Sequence, residues 1–193
     1  GRDYAADLFS IYIGNSQFGK IEEATKVFLL EDDDIIEALP SRRYDAHKYE
    51  LGNVFVLAGS TGLSGAAVMA SEAALRSGAG IVKLGIPVSL NPVMEMKLTE
   101  VMTVPYSETS EGSLSLNDCD AIIERINSSS FTVIGPGISR QYETLNLVRK
   151  LVEHAEKPLL LDADALFALQ EHTDLLKKSK AEIILTPHMG EFG

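Results

Sequence analysis

A chain of 193 residues amounts to one domain and a fraction on a prior of roughly 150 residues per domain, with ample length for a core. Its 17 Lys and Arg against 28 Asp and Glu give a formal charge of −11, a field that disfavours nucleic acid and acidic membranes as partners. One cysteine, Cys119, excludes an internal disulfide framework and a thiolate metal cluster, and no run approaches the roughly 18 apolar residues of a membrane span, so the chain reads as cytoplasmic.

Residues 1 to 30 carry little apolar material, with Ile11-Tyr12-Ile13-Gly14 as one short strand. Glu31 to Asp34 before Ile35-Ile36-Glu37-Ala38-Leu39 reads as an acidic helix start that Pro40 ends. Ser41 to Asn53 is a polar connector holding Arg42, Arg43, His47 and Lys48. From Val54 the pattern alternates regularly. Expected strands are Val54–Ala58, Ile81–Gly85, Val101–Val104, Phe131–Ile134, Leu159–Leu161 and Glu182–Leu185. Expected helices are Ala66–Ser77, a short one before Leu98, Asp118–Ser128, Glu143–Ala155 and Ala165–Glu171. Runs apolar on both faces predict a mainly parallel α/β sheet covered by helices on two sides.

Five of these runs end in loops bearing Gly, Asp or His: VFVLA-GSTGLSGA, IVKLG-IPVS, FTVIG-PGISR, PLLLD-ADAL and EIILT-PHMGEFG. Ligands of open parallel sheets collect at the carboxyl ends of the strands, so these loops are expected to form one nucleotide-sized site. An anion in an acidic chain needs local help from glycine-loop N–H groups, helix N-termini, a placed Lys or Arg, or a divalent cation.

The loop Gly59-Ser60-Thr61-Gly62-Leu63-Ser64-Gly65 runs straight into the small-residue helix Ala66-Ala67-Val68. Its glycine spacing fits neither the dinucleotide fingerprint nor the P-loop, and a ligand turn and a tight packing turn both remain open. Ile134-Gly135-Pro136-Gly137 repeats the theme, with Arg140 as a candidate phosphate contact. In Leu161-Asp162-Ala163-Asp164, Asp164 is placed to N-cap the next helix, while Asp162 at the tip of a buried strand needs a partner. His188 and Glu191, three residues apart in a glycine-bearing turn, could hold a ribose, a phosphate or a cation. His154 and His172 read as surface groups on helices, and no zinc spacing or nucleophile elbow is present.

Taken together, His47-Lys48, LAGSTGLSGAAVMASEAALRSGAG, IGPG, LDADAL and ILTPHMGEF resemble the ribokinase-like NAD(P)H-hydrate dehydratase family, from about Arg42 to Gly193. Ile11 to Asn15 resembles, weakly, the last strand of the epimerase domain that precedes this module in two-domain members. The resemblance implies a three-layer ribokinase-like domain over residues 31–193, with residues 1–30 a remnant or linker. It implies dehydration of hydrated NADH or NADPH (NADHX, NADPHX) at the expense of ADP or ATP with Mg²⁺. The phosphoryl group would pass to the hydroxyl of the reduced nicotinamide ring, and loss of phosphate would restore the ring. Gly65, Ala66, Gly137 and His188 match the family's hydrate-binding positions; Asp162, Asp164 and Glu191 are candidate site acids, and Lys48 and Arg140 candidate phosphate contacts.

The family's Gly-Thr-Gly-Asp motif, which supplies an anion hole and a catalytic base, is absent from the 193 residues. The expectation is a domain incomplete at its C-terminus, inactive alone, with a free sheet edge after Glu182–Leu185 that favours a homo-oligomer or association with a missing C-terminal segment. Two other readings stay open: a small-molecule kinase of the same superfamily acting on a vitamin precursor or sugar, and a non-catalytic nucleotide-binding fragment or subunit.

Overall fold

A computed structural model describes residues 51–191 together with Asp32. Lys48, the Ile11–Gly14 strand and the helix expected before Pro40, Asp32 apart, lie outside the described residues. The sheet belongs to the unit running from Tyr44 to Gly193.

Six strands alternate with helices in the order β1 (Asn53–Leu57), α1 (Ser64–Arg76), β2 (Ile81–Pro87), α2 (Asn91–Lys97), β3 (Met102–Tyr106), α3 (Cys119–Asn127), β4 (Phe131–Ile134), α4 (Tyr142–His154), β5 (Leu159–Leu161), α5 (Asp164–Ala168), α6 (Asp174–Lys178) and β6 (Ile183–Leu185). All pairings are parallel and the spatial order is β3-β2-β1-β4-β5-β6. Short runs rich in Val, Ile, Leu and Phe, fenced by Gly and Pro, have no room for a helix, and the inner strands β1, β4 and β5 are apolar on both faces and covered twice.

The two faces carry separate cores. Phe55, Leu57, Ile134, Leu159 and Leu161 point to α3 and α4, where Ile122, Ile126, Leu147, Val148 and Leu151 are fully buried. Val56, Ala58, Val82, Leu84 and Ile86 point to the other face, covered by Ala67 of α1 and Met94 of α2. Alternation along β1 divides its side chains between these layers, and this three-layer arrangement is the α/β architecture the sequence predicts.

The chain winds from β1 outward to β2 and β3, then returns to the far side of β1 with β4 and winds outward again to β5 and β6. The connections leaving β1 and β4 pass to opposite faces of the sheet, α1 to one and α4 to the other, so the carboxyl ends of these two strands form the topological switch point at which ligands of such sheets bind. Register brings the strand ends level, pairing Leu57 with Ile134, Ile134 with Leu161, and Leu161 with Leu185. Four loops thus start side by side along one edge.

The fifth expected loop leaves the same edge but starts two residues later than expected. β2 does not end at Gly85 but continues to Pro87, pairing with Pro105 and Tyr106 of β3. Gly85 is a packing glycine: a Cβ there would lie 2.7 Å from Phe55 Cζ and 2.8 Å from Leu57 Cδ1. The expected helix Ala165–Glu171 is also shorter, ending at Ala168, and His172 sits exposed in the link to α6 rather than on a helix. Among the described residues β6 pairs on one side only, with Ile184 and Leu185 exposed, and no helix is long and apolar enough to cross a membrane.

Candidate functional site at the carboxyl edge of the sheet

The β1 loop turns through Gly59 and Gly62, both at positive φ (85° and 86°), and Leu63 N–H closes the turn on the Ser60 carbonyl at 2.9 Å. α1 then starts at Ser64 with no side-chain cap. A 13-residue helix thereby presents free N–H groups over its first turn, at Ser64, Gly65 and Ala66, where the helix dipole favours an anion. A Cβ at Gly65 would meet nothing within 4 Å, so this N-terminus borders open space.

The β4 loop folds against it. Gly59 N–H donates to the Pro136 carbonyl at 2.9 Å, and the nearly buried Ser60 hydroxyl donates to the Gly137 carbonyl at 2.8 Å. A Cβ on Gly137 would stand 2.9 Å from the Leu63 carbonyl and 3.2 Å from Ala66 Cβ. Gly65, Ala66 and Gly137, singled out from sequence on two separate motifs, are therefore brought together where the β4 loop meets the start of α1.

The other candidates form a row running away from it. Asp164 is a correction: it is the first helical residue of α5, Ala163 holds the N-cap position, and no side chain caps the helix. Its carboxylate instead accepts Ser139 N–H at 3.1 Å and Arg140 Nε–H at 2.9 Å. The sequence suggested an Asx cap because it could not show that the β4 loop brings better donors within reach. The Asp162 carboxylate accepts the Thr186 hydroxyl at 2.8 Å, which supplies the partner its position required. In the β6 loop His188 Nδ1 accepts Gly190 N–H at 3.0 Å, so the proton sits on Nε2, 3.2 Å from Glu191 Oε1. Glu191 Oε2 also accepts His188 N–H at 3.0 Å, so one carboxylate orients both the ring and its backbone.

These bonds join all four loops in sequence: β1 to β4 through Ser60, β4 to β5 through Asp164, and β5 to β6 through Thr186. His188 remains exposed and its ring touches neither Gly137 nor α1 through any hydrogen bond. Ser60 and Thr186 were present in the quoted motifs but carried no signal of their own, because a hydroxyl in a loop is common and only tertiary structure names its acceptor. Lys48 lies outside the described residues. Among the described residues no group of three His, Cys, Asp or Glu side chains converges to hold a metal ion.

A further segment supports the β1 loop. Residues 107–118 fold back on themselves, with Glu108 bridged to Leu114, and the Gly112 carbonyl at the tip accepts Thr61 N–H at 2.9 Å. The fully buried Thr144 holds this excursion from α4: its hydroxyl donates to the Leu114 carbonyl and pairs with the Ser113 hydroxyl, at 2.8 Å each. Thr144→Val is expected to cost about 1–3 kcal/mol, since it strands a buried carbonyl, and Thr144→Ser much less. Urea unfolding midpoints check this, and equal midpoints for Thr144→Val and wild type would contradict it. Cys119 opens α3 with burial pushing its thiol pKa up, as expected of a packing residue rather than a nucleophile.

Residues 54–193 match the sequence family described as NAD(P)H-hydrate dehydratase. The chain belongs to that family. Over 153 residues it is 40% identical to the bifunctional NAD(P)H-hydrate repair enzyme Nnr of Moorella thermoacetica, covering 79% of this chain and 29% of that protein. It is 31% identical over 156 residues to the ADP-dependent (S)-NAD(P)H-hydrate dehydratase of Xanthomonas campestris, covering 81% of this chain and 52% of that one. The chain thus spans about a third to a half of the length of these curated relatives. A crystal structure of the ADP/ATP-dependent NAD(P)H-hydrate dehydratase of Bacillus subtilis, co-crystallized with ATP and Mg²⁺, superposes with a TM-score of 0.59 at 26% identity, covering 83% of this chain and 52% of that one. A ribokinase-like superfamily protein from Enterococcus faecalis superposes at 0.71 with 19% identity, covering 87% of this chain and 58% of that one, a likeness of fold alone. Family membership and fold therefore agree with the resemblance read from the motifs.

Proposed function

We propose that these residues supply the hydrate-binding wall of an ADP- or ATP-dependent dehydratase that restores NADHX or NADPHX to NADH or NADPH. The observation that carries this reading is the packing of Gly137 against the uncapped start of α1 at Gly65 and Ala66, at the topological switch point of the sheet. A dinucleotide bears anionic phosphates and apolar rings; free N–H groups suit the former, and glycine walls let a flat ring approach the backbone.

The chemistry requires a phosphoryl group to move from the nucleotide to the hydroxyl on the nicotinamide ring. Loss of phosphate together with a ring proton then restores the double bond. The described residues do two parts of this work: they bind the hydrate and orient it. His188, with its Nε2 proton directed by Glu191, can donate to a ligand oxygen, and Asp162 and Asp164 keep the β4, β5 and β6 loops in register. Because the described residues form no cage for a metal, any Mg²⁺ of the reaction would enter with the nucleotide phosphates, as this ion commonly does.

Binding is the property that these residues are proposed to carry, and thermal unfolding measures it. NADPHX at about a hundredfold excess over its Kd is expected to stabilise the fold by about 2.7 kcal/mol. Thiazole, pyrimidine and sugar alcohols at the same concentration should leave the midpoint unmoved. Stabilisation by one of those alcohols and not by NADPHX would overturn the reading in favour of a small-molecule kinase.

A further inference from the structure

Three non-glycine residues have positive φ among the described residues: Ser139 (80°), Ala163 (50°) and Glu171 (63°). Two of them stand on either side of one carboxylate. Ala163, at φ 50° and ψ −120°, is in a conformation that suits glycine, and it forms the corner of a turn closed by Ala165 N–H on the Asp162 carbonyl at 3.1 Å. That corner delivers Asp164 to the β4 loop. There, the left-handed Ser139 turns its N–H to Asp164 Oδ2, while Arg140 Nε–H meets Oδ1. Strain of this kind costs on the order of 1–3 kcal/mol per residue and persists only where the surroundings over-determine it.

We infer that Asp164 is a positioning residue, a clasp that fixes the β4 loop two residues beyond Gly137 and so holds Gly137 at the start of α1. Both carboxylate oxygens are engaged by the protein, and the side chain is only 15% exposed. The carboxylate therefore has a structural partner at each oxygen and acts on a ligand through the loop. Gly137 is clamped on its other side by the Ser60 hydroxyl. Arg140 belongs to the same clasp: its guanidinium stacks 4.5 Å above the Phe167 ring of α5 while its Nε engages Asp164. This assignment rests on the switch point being the hydrate site.

Two measurements on the full chain test it. In ligand-free protein, Asp164→Asn should speed exchange of the Ser139 amide by about tenfold or more and shift the Gly137 amide resonance, with the fold retained. Unchanged Ser139 and Gly137 amides would overturn the clasp whatever the ligand proves to be. In NADPHX titrations, Asp164→Asn and Arg140→Gln should each weaken affinity, the former by about tenfold, and the double variant should be no weaker than Asp164→Asn alone. Additive losses would overturn the clasp by making the two side chains independent ligand contacts, as would unchanged affinity in both single variants. Should Asp164→Asn fail to fold, Arg140→Gln carries both readouts, because the Arg140 side chain is 58% exposed. Wild-type protein that ignores NADPHX would instead overturn the hydrate reading, and the amide measurement would still judge the clasp.

Discussion

Gly135→Ala is expected to remove most or all of the fold's stability, a loss of more than about 4 kcal/mol from a total that is typically about 5–15. The added Cβ would lie 1.8 Å from the Asp162 carbonyl oxygen and 2.7 Å from Ala165 Cβ, on a residue at φ 126°. Neither neighbour can give way. The Asp162 carbonyl accepts Ala165 N–H to start α5, and Asp162 N–H is bonded to the Ile134 carbonyl at 3.0 Å as the last rung between β4 and β5. Moving that peptide breaks the ladder and the turn together, and with them the delivery of Asp164 to Arg140. The urea midpoint and circular dichroism of the variant check this; a cooperative transition within about 1 kcal/mol of wild type would contradict it.

Gly137→Ala is expected to separate binding from folding. A φ of 66° costs an alanine roughly 1–2 kcal/mol, and the methyl would press on the Leu63 carbonyl at 2.9 Å and on Ala66 Cβ at 3.2 Å. The β4 loop can relieve this only by backing away from α1, which moves the Gly137 carbonyl off the Ser60 hydroxyl and reshapes the switch point. Affinity for NADPHX should fall by about tenfold or more while the thermal midpoint drops by only a few degrees. Calorimetric titration beside a melting curve measures both. Affinity within about twofold of wild type would remove Gly137 from the site.

The positions of the loops were legible in the sequence because each depends on local chemistry. Apolar runs too short for a helix, each stopped by Gly, Pro or Asp, mark β1, β4, β5 and β6, and parallel pairing then forces their ends to one edge. Gly85 misled for the same local reason: after a run of Ile, Val, Lys and Leu it resembles a stop, whereas its role is to admit Phe55 and Leu57 from the neighbouring strand. Asp164 misled because helix capping is a contact within four residues, and its true donors lie 24 and 25 residues away in sequence. The order of the strands, and thus which two loops meet at the switch point, likewise depends on long-range pairing that no short motif encodes.

Binding at the switch point is tested most directly by titrating ¹⁵N-labelled protein with NADPHX and mapping the amides that move. Shifts concentrated at Gly65, Ala66 and Gly137, and extending to His188, are the predicted result. An open cavity of about 440 Å³ lies beside β6, lined by Arg140, Phe167, Leu176, Leu185, Pro187 and Glu191 and by none of Gly65, Ala66 and Gly137. Shifts confined to that cavity, or no shifts at saturating ligand, would contradict a hydrate site between the β1 and β4 loops.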